Sequence, residues 1–219
     1  MIAGIRLKIC GLTSLVDAGL ADAAGADHLG FVLHPESPRS VTLDQFRVMA
    51  PRLPARPKVA VVVEPAAAEL AAAAGAGFDF FQVHFRLETP AEQVAAWAGA
   101  VGRARLWLAP RLPPAVDVPA ALLAAADTFL LDTFDAKKSG GTGRTGDWAK
   151  FRRHRETQPE KHWVLAGGLT PENVAAALAA TGARWLDVSS GVERAPGVKD
   201  SAKITALVAA LRGSAGARK

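Results

Sequence analysis

Residues 23–32 read Ala23-Ala24-Gly25-Ala26-Asp27-His28-Leu29-Gly30-Phe31-Val32, and the reading of this stretch decides the fold. An alanine-rich helical segment closes on glycine, which readily takes the left-handed conformation at a helix end, and feeds directly into a short apolar run. The junction recurs. Ala74-Gly75-Ala76-Gly77 leads into Phe80-Phe81-Gln82-Val83, Ala125-Ala126-Asp127 into Phe129-Leu130-Leu131, and Thr181-Gly182-Ala183 into Trp185-Leu186-Asp187-Val188. Near-continuous apolar runs of this length are strands buried on both faces, as in parallel sheets covered by helices.

Extended outward, the rhythm predicts strands near 5–10, 28–33, 58–63, 80–84, 105–109, 128–132, 162–167 and 184–189. Helices are predicted near 14–24, 42–51, 66–75, 90–101, 119–126, 147–156, 171–181 and 200–212. Ser14 with Asp17 resembles a capping box, and Thr89-Pro90 and Thr170-Pro171 place a hydroxyl before a proline at the first helical position. Alternating strands and helices imply parallel pairing with right-handed crossovers, and eight such units close a barrel. The expected fold is therefore an α/β protein, a single-domain (β/α)8 barrel over residues 1–212, with 213–219 as a frayed tail. A doubly wound open sheet is the competing topology, but no Gly-x-Gly-x-x-Gly follows the first strand.

The bulk properties narrow the function classes. A chain of 219 residues suits one barrel, and no apolar run approaches the roughly 18–20 residues that span a bilayer. The segment from Met1 to Cys10 is too short and too charged for a signal peptide, and one cysteine allows no internal disulfide, so a cytoplasmic location is expected. The net charge of +5 fits an anionic small-molecule substrate or simply a basic surface. Nucleic acid is not expected as a partner: the one dense basic run, Lys150 to Arg155, lacks interleaved aromatics.

In a barrel, residues two apart on a strand share a face, and chemistry collects at the strands' C-terminal ends. Polar residues stand at those ends here. Lys8 and Cys10 share a face on the first strand, Gln82 and His84 on the fourth, and Asp187 and Ser189 on the eighth, while Asp132 closes the sixth. Burying so many polar groups is costly unless they meet water, a ligand or one another, and a convergent site accounts for them together. A lone cysteine on an apolar strand is more often inert core, but Lys8 on the same face is expected to favour the Cys10 thiolate. Asp132 could cap the next loop, and His84 could be a satisfied structural histidine. No two of these groups lie at a metal-ligand spacing, so no metal is expected.

Three glycine turns follow the later strands. Ser139 to Gly146, carrying Gly140, Gly141 and Gly143, is long for an ordinary connection and is expected to be a lid, or else a surface loop. Gly167-Gly168 follows the seventh strand and Ser189-Ser190-Gly191 the eighth. Phosphate sites in these barrels use those two loops, which points to a phosphorylated substrate.

At these residues the chain resembles phosphoribosylanthranilate isomerase over nearly its whole length. Lys8-Ile9-Cys10-Gly11, Ser37-Pro38-Arg39, Gln82-Val83-His84, Leu131-Asp132 with the Gly-Gly-Thr-Gly loop and Asp147-Trp148 carry the likeness. So do Ala166-Gly167-Gly168-Leu169 with Asn173, the run from Asp187 to Glu193, and Pro196-Gly197, Lys199 and Asp200. The resemblance implies an Amadori rearrangement of N-(5-phosphoribosyl)anthranilate in tryptophan biosynthesis, without organic cofactor or metal. It implies Cys10 as general base, Asp132 as general acid, and Arg39 pairing bidentately with the anthranilate carboxylate. Lys8, His84 and Asp187 would then face substrate, and Gly167, Gly168, Ser189, Ser190 and Gly191 would hold the phosphate. The chain departs from the family pattern at Ser40, where an aromatic is usual, and at Phe85, where glycine is usual and a bulky ring is expected to alter backbone approach to substrate. Two competing readings are a sibling isomerase of the histidine pathway, which calls for aspartate in place of Cys10, and a non-catalytic phosphate-binding barrel. Monomer and homodimer both fit the sequence.

Overall fold

The computed structural model describes residues 1–113, 116–132 and 147–216. Its elements run β1 (Arg6–Ile9), α1 (Leu15–Ala23), β2 (His28–Val32), α2 (Leu43–Met49), β3 (Lys58–Val63), α3 (Ala67–Gly75), β4 (Phe80–Arg86), α4 (Ala91–Val101) and β5 (Leu106–Arg111). There follow α5 (Ala120–Ala125), β6 (Thr128–Leu131), α6 (Trp148–Thr157), β7 (His162–Leu165), α7 (Val174–Thr181), β8 (Trp185–Val188), β9 (Glu193–Ala195), β10 (Val198–Lys199) and α8 (Ser201–Gly216). Strands β1 to β8 form a closed barrel. All its pairs are parallel, and β1 meets β8 in register from Arg6↔Trp185 to Ile9↔Val188.

Strand alternation sorts the side chains. Leu7, Ile9, Leu29, Phe31, Phe81, Val83 and Leu186 join the core between barrel and helices, whereas Val59, Trp107, Ala109, Leu130, Val164 and Trp185 form a separate cluster within the ring of strands. At the N-terminal end of the strands, His28 packs against Trp185, Trp107 and Phe80 with ring centroids 5.0, 5.3 and 5.6 Å away. Burial there pulls the His28 pKa down to about 4, so the imidazole is neutral at pH 7 and serves as packing. Higher in the barrel, Gly30 makes room for a buried lysine. A Cβ at this position would lie 2.8 Å from Lys8 Cε and 3.1 Å from Cys10 Cα.

Several local expectations change. Ser14 accepts from Asp17 N as predicted, but the Asp17 carboxylate does not complete a capping box; it accepts from Lys199 N instead. Pro90 is the N-cap of α4 rather than its first helical residue, and α7 begins at Val174, because Asn173 rather than Thr170 occupies the cap. Helix α8 continues to Gly216, past the predicted end at 212 and into the expected tail. The antiparallel hairpin of β9 and β10 was not anticipated. Among the described residues, no helix is long and apolar enough to cross a membrane.

Candidate active site

The C-terminal ends of the strands surround a cavity of about 210 Å³. Cys10, Arg39, Gln82, His84, Asp132 and Asp187 all line it, and so do Gly167, Gly168, Ser189, Ser190 and Gly191. Lys8 lies one layer below, fully buried. Residues drawn from positions 8 to 191 thus converge at one mouth. The residues Gly140, Gly141 and Gly143 of the expected lid lie outside the described residues.

Lys8 and Asp187 are register partners across β1 and β8, and Lys8 Nζ donates to both Asp187 oxygens at 2.9 Å. Burial opposes the lysine's charge, but Asp187 and then Cys10 outweigh it and hold its pKa above the ordinary value. This pairing corrects the expectation for Cys10. Burial and the Asp187 charge push the thiol up, and Lys8, already shared with Asp187, does not reverse the shift. Cys10 is therefore a thiol at neutral pH.

His84 is also neutral: burial, with Lys8 and Arg111 nearby, lowers its pKa to about 3. Gln82 Nε2 donates to His84 Nε2 at 2.7 Å, which leaves the ring proton on Nδ1. Asp132 stands one residue beyond β6, exposed within the cavity wall.

Arg39 is engaged by the protein itself. Its Nε donates to Glu193 Oε1 at 2.9 Å and its Nη2 to Glu193 Oε2 at 2.7 Å, so a protein carboxylate already holds one bidentate edge of the guanidinium. Glu193 and its second partner Lys199 belong to the site although the sequence reading gives them no role of their own. The Glu193–Lys199 separation across Pro196-Gly197 is the signal that could have found them, because it has the spacing of a tight hairpin. Phe85 needs correction as well. It is 1% exposed and packs edge-on against Trp97 at 5.3 Å, on the helix side of β4, so its ring does not line the cavity. Ser40 pairs by a backbone bridge with Val32 and is not part of the lining.

Two turns make one wall of the cavity, the second of them beside Cys10, whose carbonyl accepts from Ser189 Oγ at 3.2 Å. Gly167 and Gly168 both have positive φ, 88° and 60°, which only glycine adopts without strain. Asn173 fixes the first turn by accepting from Thr170 N and donating to the Gly168 carbonyl, both at 2.8 Å. The second turn presses against the first: a Cβ on Gly191 would lie 1.9 Å from the Leu169 carbonyl oxygen. Gly191→Ala is accordingly expected to separate the turns and raise KM for a phosphorylated substrate about tenfold or more, with a smaller effect on kcat. Steady-state kinetics check this, and an unchanged KM would contradict it.

A closed (β/α)8 barrel that gathers its titratable side chains at the C-terminal mouth is the architecture of a barrel enzyme. Residues 7–210 match the family model described as N-(5'phosphoribosyl)anthranilate (PRA) isomerase, and the chain belongs to that family. A relative from Cellvibrio japonicus, an N-(5'-phosphoribosyl)anthranilate isomerase, is 40% identical over 96% of this chain and 95% of its own. The solved phosphoribosyl anthranilate isomerase of Thermus thermophilus is 34% identical with a TM-score of 0.79, covering 95% of this chain and 99% of that one. Another isomerase structure, in complex with reduced 1-(o-carboxyphenylamino)-1-deoxyribulose 5-phosphate, is 30% identical with a TM-score of 0.73 over 95% and 99% of the two chains.

Proposed function

We propose that the protein converts N-(5-phosphoribosyl)anthranilate to 1-(2-carboxyphenylamino)-1-deoxyribulose 5-phosphate in tryptophan biosynthesis, with Asp132 as general acid and Cys10 as general base. The observation that carries this reading is that Cys10 and Asp132, 122 positions apart, line one cavity together with the two glycine turns.

Asp132 protonates the furanose ring oxygen, the C1–O bond breaks, and a protonated Schiff base forms at C1. Cys10 then removes the C2 proton to give an enolaminol. Gain of a proton at C1 and loss of one from the C2 hydroxyl complete the ketone. Substrate gains two protons and loses two, so the product is its isomer and no redox partner enters the balance. The raised pKa of the free thiol fits this order: the cationic Schiff base appears first, and a positive charge beside Cys10 favours the thiolate when it is needed.

The turns at Gly167, Gly168, Ser189, Ser190 and Gly191 hold the phosphate, and Arg39 meets the anthranilate carboxylate through the edge that Glu193 leaves open. His84, neutral and braced by Gln82, together with Asp187 above the buried Lys8, faces the sugar. The same reading places the enzyme in the cytoplasm, where its single thiol stays reduced.

The purified protein is expected to turn over N-(5-phosphoribosyl)anthranilate, and its gene to restore growth without tryptophan to a strain lacking the isomerase. Absence of turnover together with failure to rescue would leave only a ligand-binding barrel.

A further inference from the structure

The hairpin of β9 and β10 has no part in the barrel, yet it touches the site twice: Glu193 takes Arg39, and Lys199 Nζ donates to the Ser189 carbonyl at 3.4 Å. Glu193 on β9 faces Lys199 on β10 as a register pair, and Lys199 Nζ donates to Glu193 Oε1 at 2.7 Å. Lys199 is 2% exposed and Glu193 6%. The other Glu193 oxygen, and part of the first, takes the Arg39 guanidinium. The hairpin tip is hydrogen-bonded to the loop after β1 and packs against the loop that carries Arg39. Thr13 Oγ1 donates to the Gly197 carbonyl at 2.7 Å, and a Cβ on Gly197 would lie 3.2 Å from the Pro38 carbonyl oxygen. On the other side, Gly11 admits the arginine stem, since a Cβ there would sit 2.6 Å from Arg39 Cδ.

A guanidinium carries five N–H donors, one on Nε and two on each terminal nitrogen. Glu193 occupies the edge formed by Nε and Nη2. The outer edge, one hydrogen from Nη1 and one from Nη2, forms a second fork with the same spacing. Arg39 lines the cavity, and the fixed inner edge determines where the outer edge points.

We propose that Glu193 is a positioning residue for ligand recognition: by gripping the inner edge of Arg39, it presents the outer edge to the carboxylate of the substrate's aromatic ring. Lys199 is the complement that makes this possible. Glu193 alone would cancel Arg39 and repel an incoming carboxylate, whereas the three side chains together carry a net single positive charge. The hairpin sequence Glu193-Arg194-Ala195-Pro196-Gly197-Val198-Lys199 then acts as a specificity element that discriminates for the ring carboxylate.

This inference rests on the reading of Arg39 as the carboxylate ligand, and the test separates the two. Wild type, Glu193→Gln and Glu193→Asp are assayed with the natural substrate and with its analogue lacking the carboxylate, N-(5-phosphoribosyl)aniline. Glu193→Gln is expected to raise KM for the natural substrate about 10- to 100-fold with kcat within about threefold, and to leave KM for the analogue unchanged. Glu193→Asp keeps the charge and the fold but shortens the reach, and is expected to show a smaller rise of the same selective kind. Should Glu193→Gln fail to fold, the aspartate variant decides. Equal KM increases for both substrates, or none for the natural one, would overturn the positioning role. A wild type that does not distinguish the two substrates would instead overturn Arg39 as the carboxylate ligand.

Discussion

Cys10→Ala is expected to lower kcat about 10²- to 10⁴-fold, the span a positioned general base contributes, while binding of a product analogue survives. The alanine removes the only thiol in the chain from a buried position, and two other titratable groups of the cavity wall are poorly suited to replace it. His84 is neutral and held by Gln82, and Asp187 is tied to Lys8. Asp132→Asn should lose a similar factor, because an amide matches the carboxyl in shape but cannot give up a proton to the ring oxygen. The pH profile separates the two roles. A base must be deprotonated, and burial holds the Cys10 pKa above its ordinary value, so the residual kcat/KM of Asp132→Asn, in which the acid no longer titrates, should climb with pH through neutrality and on into the alkaline range. In the wild type the need for a protonated Asp132 opposes that rise. A profile of Asp132→Asn that is flat there, or full activity in either variant, would remove these residues from their roles.

Lys8→Met is expected to destabilise the protein by about 3–5 kcal/mol, the cost of leaving a buried carboxylate without its cation. Lys8 is fully buried and Asp187 nearly so, and both Asp187 oxygens depend on this one ammonium. Replacing both together, Lys8→Met with Asp187→Leu, should recover most of the loss, because no charge is left stranded. Neither the single nor the double variant should be an active enzyme. The double variant loses Asp187 from the cavity wall, and the single one loses the larger of the two charges that counter the rise in the Cys10 pKa. Equilibrium denaturation of the three proteins measures this. A single variant as stable as the wild type would mean that Asp187 finds another partner.

The barrel was legible because its signals are local. Glycine after an alanine-rich helix, then four to six apolar residues, needs no knowledge of distant contacts, and the predicted strands 58–63 and 28–33 differ from β3 and β2 by at most one residue. The convergence of Cys10, His84, Asp132 and Asp187 followed from strand parity and the shared C-terminal direction. The same parity, applied one residue further, would have turned Phe85 outward. The electrostatics were not legible. That Asp187 claims Lys8, and so leaves Cys10 a thiol, depends on the register of β1 against β8, and nothing near either residue announces it. The β9–β10 hairpin escaped because strands of three and two residues fall below any periodic signal. Its grip on Arg39 links positions 154 residues apart.

The Lys8–Asp187 bond joins residues separated by 179 positions, at the place where the first strand lies beside the last. On a ribosome adding about 5–20 residues per second, Lys8 is made roughly 10 to 40 seconds before its carboxylate exists. Through that interval the ammonium has no partner to accompany it out of water, so the nascent amino-terminal strand stays hydrated. The cylinder is sealed from its end rather than its beginning, and a ribosome stalled before Asp187 carries a chain that holds its thiol but has no pocket to put it in.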